Sequence, residues 1–177
     1  MGTWKTRGLR GSTLEEYINY SNEKYREAGL ALIQKIPTPI TPIEIDKSTR
    51  HITLAYFDKK STVDYIGAIQ GIPVCFDAKE CASTSFSLAN VHEHQFTFMQ
   101  EFENQGGIAF LIIFFKSLDK IIYVPLKDLK LFFDRMNSGG KKSFKFDELN
   151  EEYIIPKKGD IIVHYLESLS LYLSKDS

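Results

Sequence analysis

The chain has 177 residues, a formal net charge of −1, 25% charged residues and 43% hydrophobic residues. These values are ordinary for a soluble globular protein and predict one domain with a sizeable core. The net charge excludes a strongly basic nucleic-acid binder, so any contact with a polyanion must rely on local clusters of Lys and Arg. The longest apolar run, Ile108–Phe115, is too short to span a bilayer and no signal peptide is visible, so we expect a cytoplasmic protein with no membrane partner.

The first predicted element is an amphipathic helix near the start of the chain. Ser12 and Glu15 have the spacing of a capping box, apolar residues then recur at helical intervals, and Gly29 provides the stop. Glu15 has two interpretations at this point. It either closes the capping box only, or it lies beside a catalytic site as an additional acid.

A proline-rich segment follows a predicted strand at Leu30–Ile36. The prolines of residues 37–42 exclude a helix and favour extended chain, and His51–Phe57 is a second extended run. Pro37–Lys60 therefore predicts a projecting two-stranded arm, with an ordinary surface meander as the alternative.

A β-hairpin is predicted over residues 63–79, where two β-branched apolar runs are separated by Gln70–Gly71. Strand alternation places Asp77 and Lys79 on one face and apolar residues on the other. The expected register brings Asp64 alongside Asp77. Two carboxylates and a lysine should therefore converge at one point of a rigid sheet.

Paired carboxylates can hold a hard divalent cation next to a phosphodiester, and a neighbouring lysine can neutralise the charge that develops on the phosphate. This pattern resembles that of the PD-(D/E)xK nucleases. The alternative is a hairpin with a solvated charged face.

The second helix is predicted to be capped by Asn90 and to end before Gly106. Gln95 interrupts its apolar stripe, so its amide is either buried and satisfied or directed at the site. His92 and His94 should face different sides of this helix, which excludes them as a metal-binding pair.

Two strands (107–115 and 121–126), a helix (126–135) and a last helix capped by Asp160 complete the chain. Cys75 and Cys81 are roughly 20 Å apart in an extended chain and cannot form a disulfide. The order of elements predicts an α/β or α+β fold, with helices packed on a central mixed sheet.

Five segments together resemble the RecU family of Holliday junction resolvases, which belong to the PD-(D/E)xK, restriction-endonuclease-like superfamily. The resemblance covers almost the whole chain. The segments are Arg10–Gly11 followed by Glu15, STVDYIG, FDAKE, SFSL through to His94–Gln95, and QGGIAFLIIFF. Asp77 stands where the family often has Glu, so a metal is expected to sit slightly differently without loss of activity.

The resemblance implies a single nuclease domain over residues 1–177, with a restriction-endonuclease-like core and a stalk insertion at about 37–60. It also implies an intertwined homodimer whose stalks enter the centre of a four-way DNA junction, a strand-exchange recombinase as a further partner, and Mg²⁺ as cofactor with Mn²⁺ as its substitute. Hydrolysis by metal-assisted attack of water would leave 5′-phosphate ends.

Individual roles follow from the same resemblance. The metal ligands would be Thr62, Asp64, Asp77 and Gln95. Lys79 would stabilise the transition state, and Glu15 would have an accessory catalytic role. The basic residues expected to contact DNA are Arg7, Arg10, Lys35, Lys47, Arg50, Lys59 and Lys60.

Three other functions remain open from the sequence. The first is another endonuclease of the superfamily that cuts ordinary duplex DNA. The second is a non-catalytic DNA-binding protein that modulates a recombinase, and the third is an α/β domain of unrelated purpose.

Overall fold

The computed structural model describes residues 13–57, 62–156 and 161–175. The helices are α1 (Thr13–Glu27), α2 (Glu93–Asn104), α3 (Leu126–Asn137) and α4 (Tyr165–Lys175). The strands are β1 (Ala31–Lys35), β2 (Ile40–Ile45), β3 (Ile52–Phe57), β4 (Tyr65–Ile69), β5 (Ile72–Cys81), β6 (Ser85–Ser87), β7 (Ile108–Phe115), β8 (Lys120–Pro125), β9 (Ser143–Lys145) and β10 (Ile154–Ile155). Within these ranges, every helix is too short or too polar to span a lipid bilayer.

Six strands form the central sheet in the order β1-β4-β5-β7-β8-β10. All neighbouring pairs are antiparallel except β5 and β7, which run parallel and are connected through α2. A parallel pair needs a crossover connection, and a helix is the usual one. The predicted mixed α/β fold is confirmed, and β5, which carries Asp77 and Lys79, is an inner strand of the sheet.

An aromatic stack forms the core on one face of the sheet. Phe76 of β5 lies between Tyr65 and Phe110, with ring centroids 4.7 Å away on each side. Tyr165 of α4 packs on Phe76 at 5.2 Å, and Tyr25 of α1 meets Tyr165 edge-on at 5.3 Å. Helices α1 and α4 therefore cover this face, which leaves the Asp77 face of β5 to α2.

Strands β2 and β3 pair with each other in a separate two-stranded sheet, which we call the hairpin arm (residues 40–57). Its turn is built on Asp46, whose carbonyl accepts the Arg50 N–H at 2.8 Å and whose carboxylate accepts the Ser48 N–H at 2.8 Å. The two-stranded arm is thus present, and most of its apolar side chains are exposed. These are Ile40, Ile43, Ile45, Ile52, Leu54, Tyr56 and Phe57.

The predicted start of α2 is wrong. Asn90 ends a short 3-10 helix, Leu88–Asn90, in which the Ser87 hydroxyl accepts the Ala89 N–H at 3.3 Å. The N-cap of α2 is His92, and the helix begins at Glu93. The local turn after Ser87 therefore displaces the cap by two residues.

The last helix also begins later than predicted, at Tyr165, and Ile161 and Ile162 precede it. The Val163 N–H donates to the Ser21 hydroxyl at 3.0 Å, and the Val163 carbonyl accepts from the Tyr25 hydroxyl at 3.2 Å. The bond to Tyr25 uses the Val163 carbonyl, which a helix starting at Ile161 would offer to the N–H four residues further on. The proposed caps Ser12 and Asp160 lie outside the described residues.

Both cysteines are free and buried, as expected from their spacing. Burial raises the pKa of the Cys75 thiol to about 12, so this side chain stays protonated and serves as packing material.

Candidate active site

A tight turn sets the register that assembles the site. Gln70 and Gly71 both have positive φ, 48° and 89°, as a two-residue turn with the twist of a hairpin requires. The resulting register pairs Ile69 with Ile72 and Tyr65 with Phe76. One step beyond the last pair, Asp64 lies opposite Asp77, as the register expected from the sequence predicts.

Reciprocal hydrogen bonds lock the two carboxylates together. The Asp64 N–H donates to Asp77 Oδ1 at 3.0 Å, and the Ala78 N–H donates to Asp64 Oδ2 at 2.9 Å. The Asp64 carbonyl accepts the Ile36 N–H at 2.8 Å, which extends the contact with β1. The backbone therefore fixes both acids, and Asp77 is completely buried.

Lys79 and Gln95 complete the surroundings of Asp77. Lys79 Nζ lies 2.5 Å from Asp77 Oδ2 and 3.3 Å from Gln95 Oε1. Gln95 Nε2 is 3.2 Å from each oxygen of Asp77, and its Oε1 also accepts the His92 N–H at 3.3 Å. The sequence left open whether the Gln95 amide is buried and satisfied or directed at the site. In the structure it is buried, hydrogen-bonded and in contact with Asp77.

The electrostatics of the pair favour an added positive charge. Burial, followed by the charge of Asp77, raises the pKa of Asp64 to about 7, while the Ala78 N–H and Lys79 oppose the rise. Two acids this close are hard to ionise together. A cation between them would remove the repulsion.

The donor chemistry of the site fits a hard divalent cation. Asp64 and Asp77 offer carboxylate oxygens, the ligands that Mg²⁺ prefers. Across the described ranges, no group of three or more His, Cys, Asp or Glu side chains is placed to hold a metal. A protein-held cation would thus depend on this carboxylate pair together with neutral oxygens. Thr62, two residues before Asp64 and partly exposed, is one source, and Gln95 Oε1 is another once it no longer accepts from Lys79 and His92.

Glu15 lies on the other side of the sheet from this pair. It is in the first turn of α1, its carboxylate forms an ion pair with Lys35, and its carbonyl accepts from the Tyr65 hydroxyl at 3.4 Å. Tyr65 shares its face with Phe76, whereas Asp77 points to the opposite face. The structure places Glu15 at the same end of the sheet without bringing it into the carboxylate pair.

Glu80 is a residue that the sequence analysis missed. Its Oε1 accepts the Leu14 N–H at 2.8 Å, and its other oxygen forms an ion pair with Lys116. It directly follows Lys79 and points to the α1 side, so it ties the first turn of α1 to the strand that carries Asp77. An acid next to Lys79 in FDAKE was the available signal.

The two histidines are closer than predicted. His92 precedes the helix as its N-cap, so its ring is free of helical geometry, and it stacks on His94 with centroids 5.5 Å apart and planes 12° apart. Both rings line a cleft of about 600 Å³ that Thr62 also borders.

The predicted DNA-contacting residues have different positions. Lys35 is paired with Glu15, and Lys47 and Arg50 are exposed in the turn of the hairpin arm. Arg7, Arg10, Lys59 and Lys60 lie outside the described residues.

A mixed sheet with two apposed carboxylates and a lysine on adjoining strands is the arrangement of the PD-(D/E)xK class of nucleases. Comparison with known proteins identifies the family within this class.

The family profile of Recombination protein U matches residues 9–171. A Holliday junction resolvase RecU of Pediococcus pentosaceus is 42% identical over 167 residues, which cover 92% of this chain and 83% of that protein. Its namesake in Bacillus pumilus is 43% identical over 146 residues, 80% of this chain and 70% of that protein. Among solved structures, Archaeoglobus fulgidus Hjc, a Holliday junction resolvase, matches with a TM-score of 0.41 and 8% identity, covering 66% of this chain and 78% of Hjc. The chain belongs to the Recombination protein U family, and the resemblance noted in its sequence is confirmed.

Proposed function

We propose that this protein is a metal-dependent endonuclease that resolves four-way DNA junctions in recombination and repair. The observation that carries the proposal is the locked Asp64–Asp77 pair with Lys79 at 2.5 Å, in a chain of this family. Its relatives from Pediococcus pentosaceus and Bacillus pumilus are named Holliday junction resolvases. We place its action in the cytoplasm, where bacterial DNA is recombined.

Each side chain of the site has a distinct task in this proposal. Asp64 and Asp77 would hold Mg²⁺, with Mn²⁺ as a substitute and with Thr62 and Gln95 as neutral ligands. The bound metal would supply an activated water and charge neutralisation at the phosphate. Lys79, already at the carboxylate, would donate to the phosphate oxygen on which negative charge develops.

Glu15 would act one step away from the metal. Its ion pair with Lys35 supports this role, because it holds a carboxylate and an amine together at the end of the sheet where DNA must approach. Lys35 would then contact the DNA backbone while Glu15 fixes its amine. We assign 5′-phosphate and 3′-hydroxyl ends to the products, because these ends result when hydrolysis breaks the bond between phosphorus and the 3′-oxygen.

A homodimer suits this substrate, since a junction must be cut on two strands related by twofold symmetry. The exposed apolar side chains of the hairpin arm support this assembly, because a lone two-stranded hairpin is marginally stable and needs a packing partner. Lys47 and Arg50 in its turn, and the remaining basic candidates Arg7, Arg10, Lys59 and Lys60, would contact phosphates, which position DNA without reading its sequence. On family grounds alone, we add a strand-exchange recombinase as a partner.

The test is cleavage of an end-labelled synthetic four-way junction, with and without Mg²⁺ or Mn²⁺, by the wild type and by Asp77→Asn. We expect paired nicks at symmetric positions that need both the metal and Asp77, and a linear duplex of the same sequence that stays intact. Religation of the nicks by a DNA ligase would demonstrate the 5′-phosphate. Equal cutting of the duplex would indicate another endonuclease of the class, and junction binding without cutting would indicate a non-catalytic modulator.

A further inference from the structure

The cleft beside the carboxylate pair has no task in the mechanism above. It measures about 600 Å³ and lies along the exposed face of the first turns of α2. It is lined by Thr62, His92, Glu93, His94, Thr97, Phe98 and Glu101. Thr62 is also a candidate metal ligand, so whatever enters this cleft lies next to the phosphate that is cut.

Planar rings dominate one wall of the cleft. The imidazoles of His92 and His94 are parallel within 12°, and Phe98 is partly buried beneath the same surface. A flat ring can stack on such a wall, and stacking of an unpaired base on an aromatic side chain contributes substantially to the binding of single-stranded nucleic acid. The His92 backbone is bonded to Gln95, which is bonded to Asp77, so the wall is fixed relative to the carboxylates.

The charges of the cleft select against the DNA backbone. Among the residues that the structure describes, its lining contains two carboxylates, Glu93 and Glu101, and neither Lys nor Arg. Phosphate would be repelled here, whereas a neutral nucleobase would not. A carboxylate accepts hydrogen bonds and donates none, so it pairs with the amino group of adenine, cytosine or guanine. Thymine has no amino group, and its one N–H donor lies between two carbonyl oxygens that repel a carboxylate.

We propose that this cleft is a nucleobase subsite that accepts an unstacked base next to the scissile phosphate and makes cleavage slower when that base is thymine. The inference deepens the proposed junction cleavage and rests on it. His92 and His94 would form the stacking wall, and Glu93 and Glu101 would recognise the amino group.

The experiment uses fixed four-way junctions in which each nucleotide flanking the cut is varied through the four bases in turn. Initial rates with Mg²⁺ are measured for the full-length wild type, Glu93→Gln, Glu101→Gln, His94→Ala and His94→Phe. Glu23→Gln is the matched control, because Glu23 is an exposed carboxylate on α1 outside the cleft.

At one flanking position, we expect the wild type to cut thymine junctions about tenfold more slowly than the others, as loss of one good base contact gives. A Gln amide can also donate to a thymine carbonyl, so Glu101→Gln or Glu93→Gln should narrow this ratio to about twofold. His94→Ala should slow cleavage of the preferred junctions about tenfold, and His94→Phe should restore it by keeping a stacking ring. Glu23→Gln should keep the wild-type ratio.

Equal wild-type rates at all bases would overturn the subsite and leave junction cleavage standing. The subsite would also be overturned if Glu93→Gln and Glu101→Gln both kept the wild-type ratio of cleavage rates between thymine junctions and the other junctions, as the control does. A wild type that cuts none of the junctions would remove the proposed function and this inference with it.

Discussion

Asp64 is the side chain whose charge should control the stability of the metal-free protein. Its pKa is about 7 in the folded chain, against an ordinary value of about 3.9 when unfolded, so the folded state holds the proton more tightly. This contribution is fully present below about pH 4 and is lost as the pH rises through about 7. In EDTA, we therefore expect the free energy of unfolding to fall between about pH 5 and pH 8.

Urea unfolding at several pH values measures this directly, with Asp64→Asn as the comparison. The variant keeps the size of the side chain but cannot ionise, so its stability should vary less over the same range. A wild-type stability that rises steadily from pH 5 to pH 8 would contradict the assignment. Mg²⁺ at pH 8 should raise the stability of the wild type more than that of the variant, because the charged pair is the proposed metal site.

Gln95 should matter for stability as well as for activity. Its amide lies within hydrogen-bond distance of both oxygens of buried Asp77, so Gln95→Leu leaves Lys79 as the remaining side-chain partner of that carboxylate described in the site. Loss of a donor to a buried charged group costs about 1–3 kcal/mol, which urea unfolding of the metal-free protein can measure. Gln100→Leu, on the same helix and outside the site, should cost much less. Equal losses of unfolding free energy in the two variants would show that the effect comes from helix packing and not from the contact with Asp77.

The residues of the site were predictable to different degrees, for physical reasons. Asp64, Asp77 and Lys79 follow from strand alternation and a two-residue turn, which are local properties that fix the register. The contacts of Gln95 and Glu80 depend on how α2 and α1 dock on the sheet, which no local pattern specifies. For Glu15, the sequence indicated a place in the first turn of a helix, but the face of the sheet on which that helix packs could not be predicted.

At the level of elements, Glu80 links α1 to the strand that carries Asp77 and Lys79. Glu80→Ala removes the acceptor for the Leu14 N–H, an orphan donor of the first helical turn. The loss should resemble removal of a helix cap, about 1 kcal/mol, and should speed amide hydrogen exchange at Leu14 and its neighbours in the first turn of α1. Lys116→Ala is the control, since it removes the ion pair and keeps the acceptor. Faster exchange in the first turn for both variants alike would argue against the cap.

The elements that the sequence predicted well are those defined by local patterns. Strands β4, β5, β7 and β8 have strong apolar patterns and lie close to their predicted positions. The short strands β6 and β9 pair with each other across more than fifty residues, and only their docking defines them. The starts of α2 and α4 were misplaced because a Ser87 turn and bonds from α1 to Val163 override the local cap signals.

At the scale of the whole molecule, the hairpin arm should act through one face. Ile45 pairs with Ile52 across the arm, and alternation along β3 puts Leu54 and Tyr56 on the same side. These side chains are about half exposed, between 46% and 56%. An apolar face of this kind marks an interaction surface, and a second copy of the chain is the partner that the proposed dimer supplies.

A charge in the middle of that face should weaken the dimer. We expect Leu54→Asp to raise the dimer dissociation constant at least about tenfold, because a buried carboxylate without a partner is strongly unfavourable in an interface. Thr53→Asp, the neighbouring position on the opposite face, is the matched control and should leave the constant within about twofold. Sedimentation equilibrium over a range of concentrations measures both. If Leu54→Asp lost junction cleavage while remaining as dimeric as the control, the arm would act on DNA alone; if both variants dissociated alike, the interface would not depend on this face.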